Sequence, residues 1–230
     1  QFTNVDRDRM TGTWRTVVGA RPEALLVGGN GNVVQVTESG FIFNLGASRL
    51  ASGGTDDASG VDLEWPAELV EPPLIGQLTD GRVAVSIGGN SPRLWLVDAA
   101  ARAQSRDLEQ PLERPPVLLS GALVLPLRGR LSVQPLSGMQ QFEDWRAPVE
   151  AERETRWAHV LRTSEDELLS IDTDGKYRRL EVRTGEIPHL AEVAAVDLPP
   201  PAAVAPAQID ESVVIVDVEQ TLKRLDQRRL

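Results

Sequence analysis

Two histidines, no cysteine and 34 carboxylates bound the chemistry open to this chain of 230 residues. Without cysteine there is no disulfide framework, no thiolate nucleophile and no cysteine-based zinc site. His159 and His189 stand far outside the HExxH spacing, so both read as packing or surface residues. Asp172-Thr173-Asp174-Gly175 comes nearest to a calcium loop, because oxygens two residues apart can face one ion around a tight glycine turn. The bidentate carboxylate such a loop needs downstream is missing, and Lys176, Arg178 and Arg179 follow instead, so a hairpin turn is expected. Glycoside cleavage needs two carboxylates on either side of a bond, one with a raised pKa. The runs Asp56-Asp57, Glu165-Asp166-Glu167 and Asp210-Glu211 fall in polar segments and read as solvated turn charges. Ser39-Gly40, Ser120-Gly121 and Ser137-Gly138 make no GxSxG elbow. Gly28-Gly29-Asn30-Gly31 and Gly88-Gly89-Asn90 are each followed by a strand signal, with no helix N-terminus to hold a phosphate. The expectation is no catalytic residue, no metal site and no cofactor.

Binding remains. A formal net charge of −10 argues against a dedicated nucleic-acid surface. No apolar run reaches the length that spans a bilayer, so membrane insertion is not expected. Absence of cysteine suits a periplasmic or extracellular compartment, where a stray thiol is a liability, and suits cytosol nearly as well. Of the 5 tryptophans, Trp14, Trp65 and Trp145 head equivalent segments and read as packing residues. Trp95 and Trp157 fall outside that register and are the aromatic candidates for a binding surface.

The elements that must position these residues come in a repeat. A unit of about 45 residues recurs, beginning near Glu23, Pro72, Pro115, Ala158 and Ala203. Residues 84–87, 123–127, 168–171 and 213–218 are rich in Val, Ile and Leu and too short for helices. Between the strand signals lie Asn30-Gly31, Asp80-Gly81, Ser120-Gly121, Asp174-Gly175 and Thr184-Gly185, pairs that suit tight hairpin loops. Residues 47–62 are small and polar without alternation and read as an exposed insertion. The proline-rich stretch 198–206 reads as a crossing between units, and 221–225 as a third strand of the last unit. Sequential hairpins at this period predict an all-β fold, a β-propeller of five four-stranded blades within one domain, 1–230. The last unit lacks an outer strand and residues 14–18 have no unit before them, so the N-terminal strand is expected to complete the last blade. The competing reading is that these are five units of a seven- or eight-bladed ring.

The unit ends resemble the repeat of pyrroloquinoline-quinone-type (PQQ-like) propellers, which runs strand, strand with an Asp-like residue, a Thr-Gly turn and a tryptophan. Residues 180–188 (LEVRTGEIP) match best, followed by 96–99 (LVDA) and by 135–145 (PLSGMQQFEDW), with Ser137-Gly138 and Trp145 in place. The motif overlaps with WD40-like repeats, although the paired Gly-His and Trp-Asp dipeptides are missing. Quinone-dependent dehydrogenases of the family are longer, and many carry adjacent cysteines, so the resemblance implies the fold and not the chemistry. It also implies kinship with non-enzymatic assembly factors of the bacterial envelope.

The functional expectation is therefore a non-enzymatic scaffold that binds another protein through loops on one face, with carbohydrate binding or cleavage on the same ring as the alternative. The loops 47–62 and 148–156 are the expected docking elements. Their charged residues Asp56, Asp57, Glu152 and Arg153 join Trp95 and Trp157 as candidate surface residues.

Overall fold

The computed structural model describes residues 2–6, 9–14, 21–27, 33–46, 59–66, 68–136, 141–148, 154–202, 204–209 and 212–226. Every regular element among them is a strand. A hairpin of β1 (Phe2–Asp6) and β2 (Arg9–Trp14) comes first. Sheet one follows, built from β3 (Pro22–Val27), β4 (Val33–Thr37), β5 (Phe41–Leu45) and β6 (Ser59–Asp62). Sheet two is β7 (Leu74–Gln77), β8 (Val83–Ile87), β9 (Arg93–Val97) and β10 (Ala103–Asp107). Sheet three is β11 (Val117–Leu119), β12 (Ala122–Leu127), β13 (Arg130–Pro135) and β14 (Trp145–Arg146). Sheet four is β15 (Trp157–Arg162), β16 (Glu167–Asp172), β17 (Lys176–Arg183) and β18 (His189–Asp197). Sheet five shows β19 (Ala207–Ile209), β20 (Ser212–Val216) and β21 (Leu222–Asp226). Each sheet is an antiparallel up-and-down meander in chain order, and the five are the blades of a β-propeller.

The second strand of each blade explains the stacking. β4, β8 and β12 are buried at every position, because each lies in a sheet covered on both faces. Side chains alternate between the faces. Val83, Val85 and Ile87 of β8 join Val34, Val36 and Ile42 of sheet one, while Ala84 joins Leu123 and Leu125 of sheet three. Ala122 and Val124 of β12 turn the other way, toward Trp157 and Leu168 of sheet four. Leu169 and Ile171 of β16 then meet Val213 and Ile215 of sheet five. Among the described residues, each of the four apolar clusters is shared by consecutive blades, and none joins blade five to blade one.

One expectation needs adjustment. The end of the supposed insertion, residues 59–62, is β6, the outer strand of blade one. Its short polar sequence hides it, and the signal lies in contacts: Val61 packs into the core, and a Cβ on Gly60 would collide with the Phe41 ring. Residues 47–58 lie outside the described residues. Trp14 stands opposite Phe2 in the N-terminal hairpin, and residues 15–18 of the expected closing strand also lie outside the described residues.

Candidate functional site: an arginine-lined groove

The meander puts the turns between second and third strands at the same end of the blades as the crossings from one blade to the next. At that end a groove of about 650 Å³ opens beside blades two, three and four. One wall is apolar and stiff, with Pro72, Pro73 and Leu74 from the start of blade two and Pro111 and Leu112 from the next crossing. The other carries three guanidinium groups, Arg114 from the crossing, Arg128 from the turn after β12 and Arg156 from the approach to β15. Exposed Glu71 and Glu154 stand among the lining residues.

Glu113 organises the basic wall. One carboxylate oxygen accepts from the Trp157 backbone N–H at 2.8 Å, and the other accepts from Arg156 Nε at 3.0 Å and lies 3.5 Å from Arg128 Nε. The Glu113 side chain is only 9% exposed, so these bonds offset the cost of burying its charge. The Glu113 backbone is itself tied to blade three through its N–H, which donates to Pro126 O at 2.8 Å. Arg114 differs. Its Nε donates to the Ala158 carbonyl and its Nη1 to Glu113 O at 2.7 Å, both main-chain oxygens. Among the described residues Arg114 has no ion pair with any carboxylate. Burial pushes its pKa down, the nearby Glu113 charge opposes that, and Arg156 adds to it. The wall thus holds a partly buried cation, fixed in place by main-chain carbonyls, that makes no ion pair among the described residues.

His159 sits next to this wall on β15. Its Nε2 lies 3.3 Å from the Ala202 carbonyl in the following crossing. Burial lowers its pKa, the Ala202 bond opposes that, and the Arg114 charge lowers it further.

A second cleft, about 450 Å³, lies at the opposite end between blades three and four, with Ser120, Phe142, Glu165, Asp166 and Pro188 in its lining. Its carboxylates belong to a hairpin turn: Asp166 accepts from Ser164 Oγ at 2.9 Å, and the Glu165 carbonyl accepts from the Ser120 N–H. The expected calcium-like segment is likewise a turn. Asp172 Oδ1 accepts the N–H groups of Asp174 and Lys176 at 3.1 and 2.8 Å, and Oδ2 pairs with Arg178 at 2.7 Å, so both oxygens are engaged.

The residues singled out from the sequence fare unevenly. Trp95 and Trp157 are 4% and 1% exposed, buried between blades one and two and between blades three and four. Trp157 Nε1 donates to Leu127 O at 2.6 Å, and its ring lies 6.1 Å from that of Trp145. Neither is a surface aromatic: both fill seams between blades, as the in-register Trp65 also does. Stacking on a sugar therefore loses its aromatic candidates. Asp56, Asp57, Glu152 and Arg153 lie outside the described residues. Of the two expected docking loops, residues 47–58 and 149–153 lie outside the described residues. The described end of the second loop lines the groove, through Glu154 and Arg156. Glu113 and Arg114 escaped sequence reading, although a charged pair bracketed by prolines in PLERPP (111–116) was the available signal.

No protein-family model matches the chain, and no curated protein matches it in sequence. Solved structures do match in fold. BamB from Moraxella catarrhalis is 13% identical with a TM-score of 0.56, over 91% of this chain and 58% of that one. The β-propeller domain of Myceliophteria thermophila Cps50 (Swd1) is 12% identical with a TM-score of 0.59, over 90% and 71%. BBS1N, solved in complex with ARL6DN, is 15% identical with a TM-score of 0.54, over 90% and 65%. The chain thus spans 58% of the length of the BamB structure. At these identities the likeness establishes the β-propeller fold.

Proposed function

We propose that this propeller is a non-enzymatic docking scaffold that binds a partner protein at the groove end of blades two to four. The observation that carries the reading is the groove itself, walled by prolines and by arginines of which Arg156 is held on the Glu113 carboxylate and Arg114 on main-chain carbonyls. A rigid concave site with a few oriented polar groups is what selective binding requires. BBS1N, similar in fold, was solved holding another protein. The finer kinship to PQQ-like repeats also belongs to this proposal. It is supported by the position of the matching motifs: Asp98 and Thr184-Gly185 both fall between third and fourth strands, and Trp145 lies on a fourth strand.

The test is capture of partners from native-host lysate with three proteins: wild type, a groove variant carrying Pro111→Arg and Glu154→Arg, and Glu165→Arg at the opposite cleft. A stoichiometric partner retained by wild type and Glu165→Arg but lost by the groove variant is the expected result. Retention by the groove variant, or loss only with Glu165→Arg, would overturn the assignment to this end.

A further inference from the structure

We infer that the groove takes a carboxylate of the partner, borne on an extended segment with an apolar residue next to the acidic one, and that Arg114 with Arg128 grips it. This rests on the docking reading above and gives its occupant a chemistry. Glu113 already accepts from the Trp157 N–H and from Arg156, and among the described residues it is the one carboxylate ion-paired with any of the three guanidiniums. Arg114 spends Nε and Nη1 on main-chain carbonyls, which orients its plane, and among the described residues it makes no ion pair with a carboxylate, Glu113 acting on it only through its nearby charge. Arg128 reaches Glu113 only at 3.5 Å, and its side chain is 53% exposed, so it is free to turn to a ligand. A guanidinium fork matches a carboxylate in two parallel hydrogen bonds. The opposite wall of Pro72, Pro73, Leu74 and Leu112 offers no hydrogen-bond donors from its side chains and suits an aliphatic neighbour.

The charge distribution selects against larger anions. The chain carries a net charge of −10, and Glu71 and Glu154 stand at the site, so a polyanion such as nucleic acid meets repulsion on approach. A single carboxylate on a mostly apolar segment meets far less of that repulsion, in proportion to its charge, and still collects the local attraction of the basic wall. A volume of about 650 Å³ holds a few residues of such a segment, within the range of about 300–1,000 Å³ common to ligand pockets.

The experiment uses the full chain, labelled for NMR, titrated with the capped peptide Ac-Pro-Leu-Glu-Pro-NH2, with its Gln twin and with inorganic phosphate. The expected result is shifts at the Arg114 and Arg128 Nε–H signals and along residues 110–114 with the Glu peptide, at least about tenfold weaker with the Gln twin. Arg128→Gln should weaken the Glu peptide by a similar factor. Among the described residues that side chain makes no short structural bond, so its variant remains informative where Arg114→Gln fails to fold. Equal response to both peptides, response to neither, or tighter binding of phosphate would overturn the inference. A photo-crosslinking residue at position 111 separates this from the parent reading. If it captures the same partner from lysate with wild type and with Arg128→Gln, docking stands and the carboxylate grip falls; if it captures none, docking itself falls.

Discussion

One device recurs at residue scale, an aspartate that closes a turn and pairs with a base a few residues on. Asp98 accepts from the N–H groups of Ala100 and Arg102 and from Arg102 Nε; Asp217 accepts from Glu219 and Thr221 N–H and pairs with Lys223 at 2.9 Å; Asp172 does the same with Arg178. Burial separates them in energy. Arg178 is 2% exposed and keeps Glu192 Oε2 at 3.6 Å from its Nε, so removing Asp172 leaves a buried cation with one long ion pair, at a cost of about 3 kcal/mol, the low end for breaking a buried pair. Asp172→Ala should therefore lose about that much in denaturant unfolding. Asp172→Asn keeps the turn acceptor and should lose less, and equal losses would show that the charge does not matter. The Arg102 backbone bond on Asp98 and the Lys223 bond on Asp217 hold those carboxyls below the ordinary carboxylate value. Their unfolded forms bind protons first, at about pH 4, so their contribution is present above that pH and lost as pH falls through the lower folded values. The double variant Asp98→Asn, Asp217→Asn should flatten the fall in unfolding midpoint below about pH 4. An unchanged acid limb would show that these turns are not its source. His159 works in the same direction nearer neutrality. Its folded pKa is depressed, so the stability it contributes is complete above its unfolded value of 6.5 and is lost as pH falls. Between about pH 7.5 and 5.5 the wild-type midpoint should drop, and His159→Gln, which can still donate to Ala202 O, should remove that slope. Parallel slopes for the two proteins would contradict this account.

Elements sort by how strongly they depend on contacts outside themselves. Inner strands were legible because β8, β12 and β16 carry their burial in their own apolar residues, and the turn pairs between them were legible because Gly81, Gly121 and Gly175 do adopt positive φ. Outer strands were not. β10 reads AQSRD and is almost wholly exposed, held by its register with β9, so nothing in its side chains marks it. β6 is hidden for the same reason. The groove was illegible because its parts come from separated stretches, near 72, 111, 128 and 156, that only the blade order brings together. Even the turn glycines, alike in sequence, differ once the crossings are in place. A Cβ at Gly121 meets nothing within 4 Å, whereas at Gly175 it would collide with the Leu198 carbonyl of the next crossing. Gly121→Ala should cost only the conformational penalty of about 1–2 kcal/mol, and Gly175→Ala clearly more. Matching losses would mean that the crossing does not press on the turn as the structure has it.

The whole molecule turns on the seam between its first and last blades. Four seams are filled by continuous apolar clusters, and each cluster draws on alternate residues of the flanking strands. At the fifth, Leu25 and Val27 on β3 are 55% and 65% exposed, and Ile209 and Leu222 in blade five are 56% and 68% exposed. Blade five also shows three strands where the other four have four, which leaves the outer edge of β21 unpaired among the described residues. Such an edge, with Leu222 exposed on it, is a site for edge-to-edge association. We propose that residues 14–18 supply the missing outer strand and so tie the first part of the chain to its last blade. Deleting residues 1–19 then opens that edge, and the expected outcome is loss of a single cooperative unfolding transition together with concentration-dependent aggregation. Placing prolines at Thr16 and Val18 should do the same with the chain length kept, because a strand that cannot donate its N–H groups cannot complete the sheet. A melting curve unchanged by both would show that the blade is stable with three strands. The arginine groove, on the far blades two to four, should then bind its peptide equally well in the deleted protein.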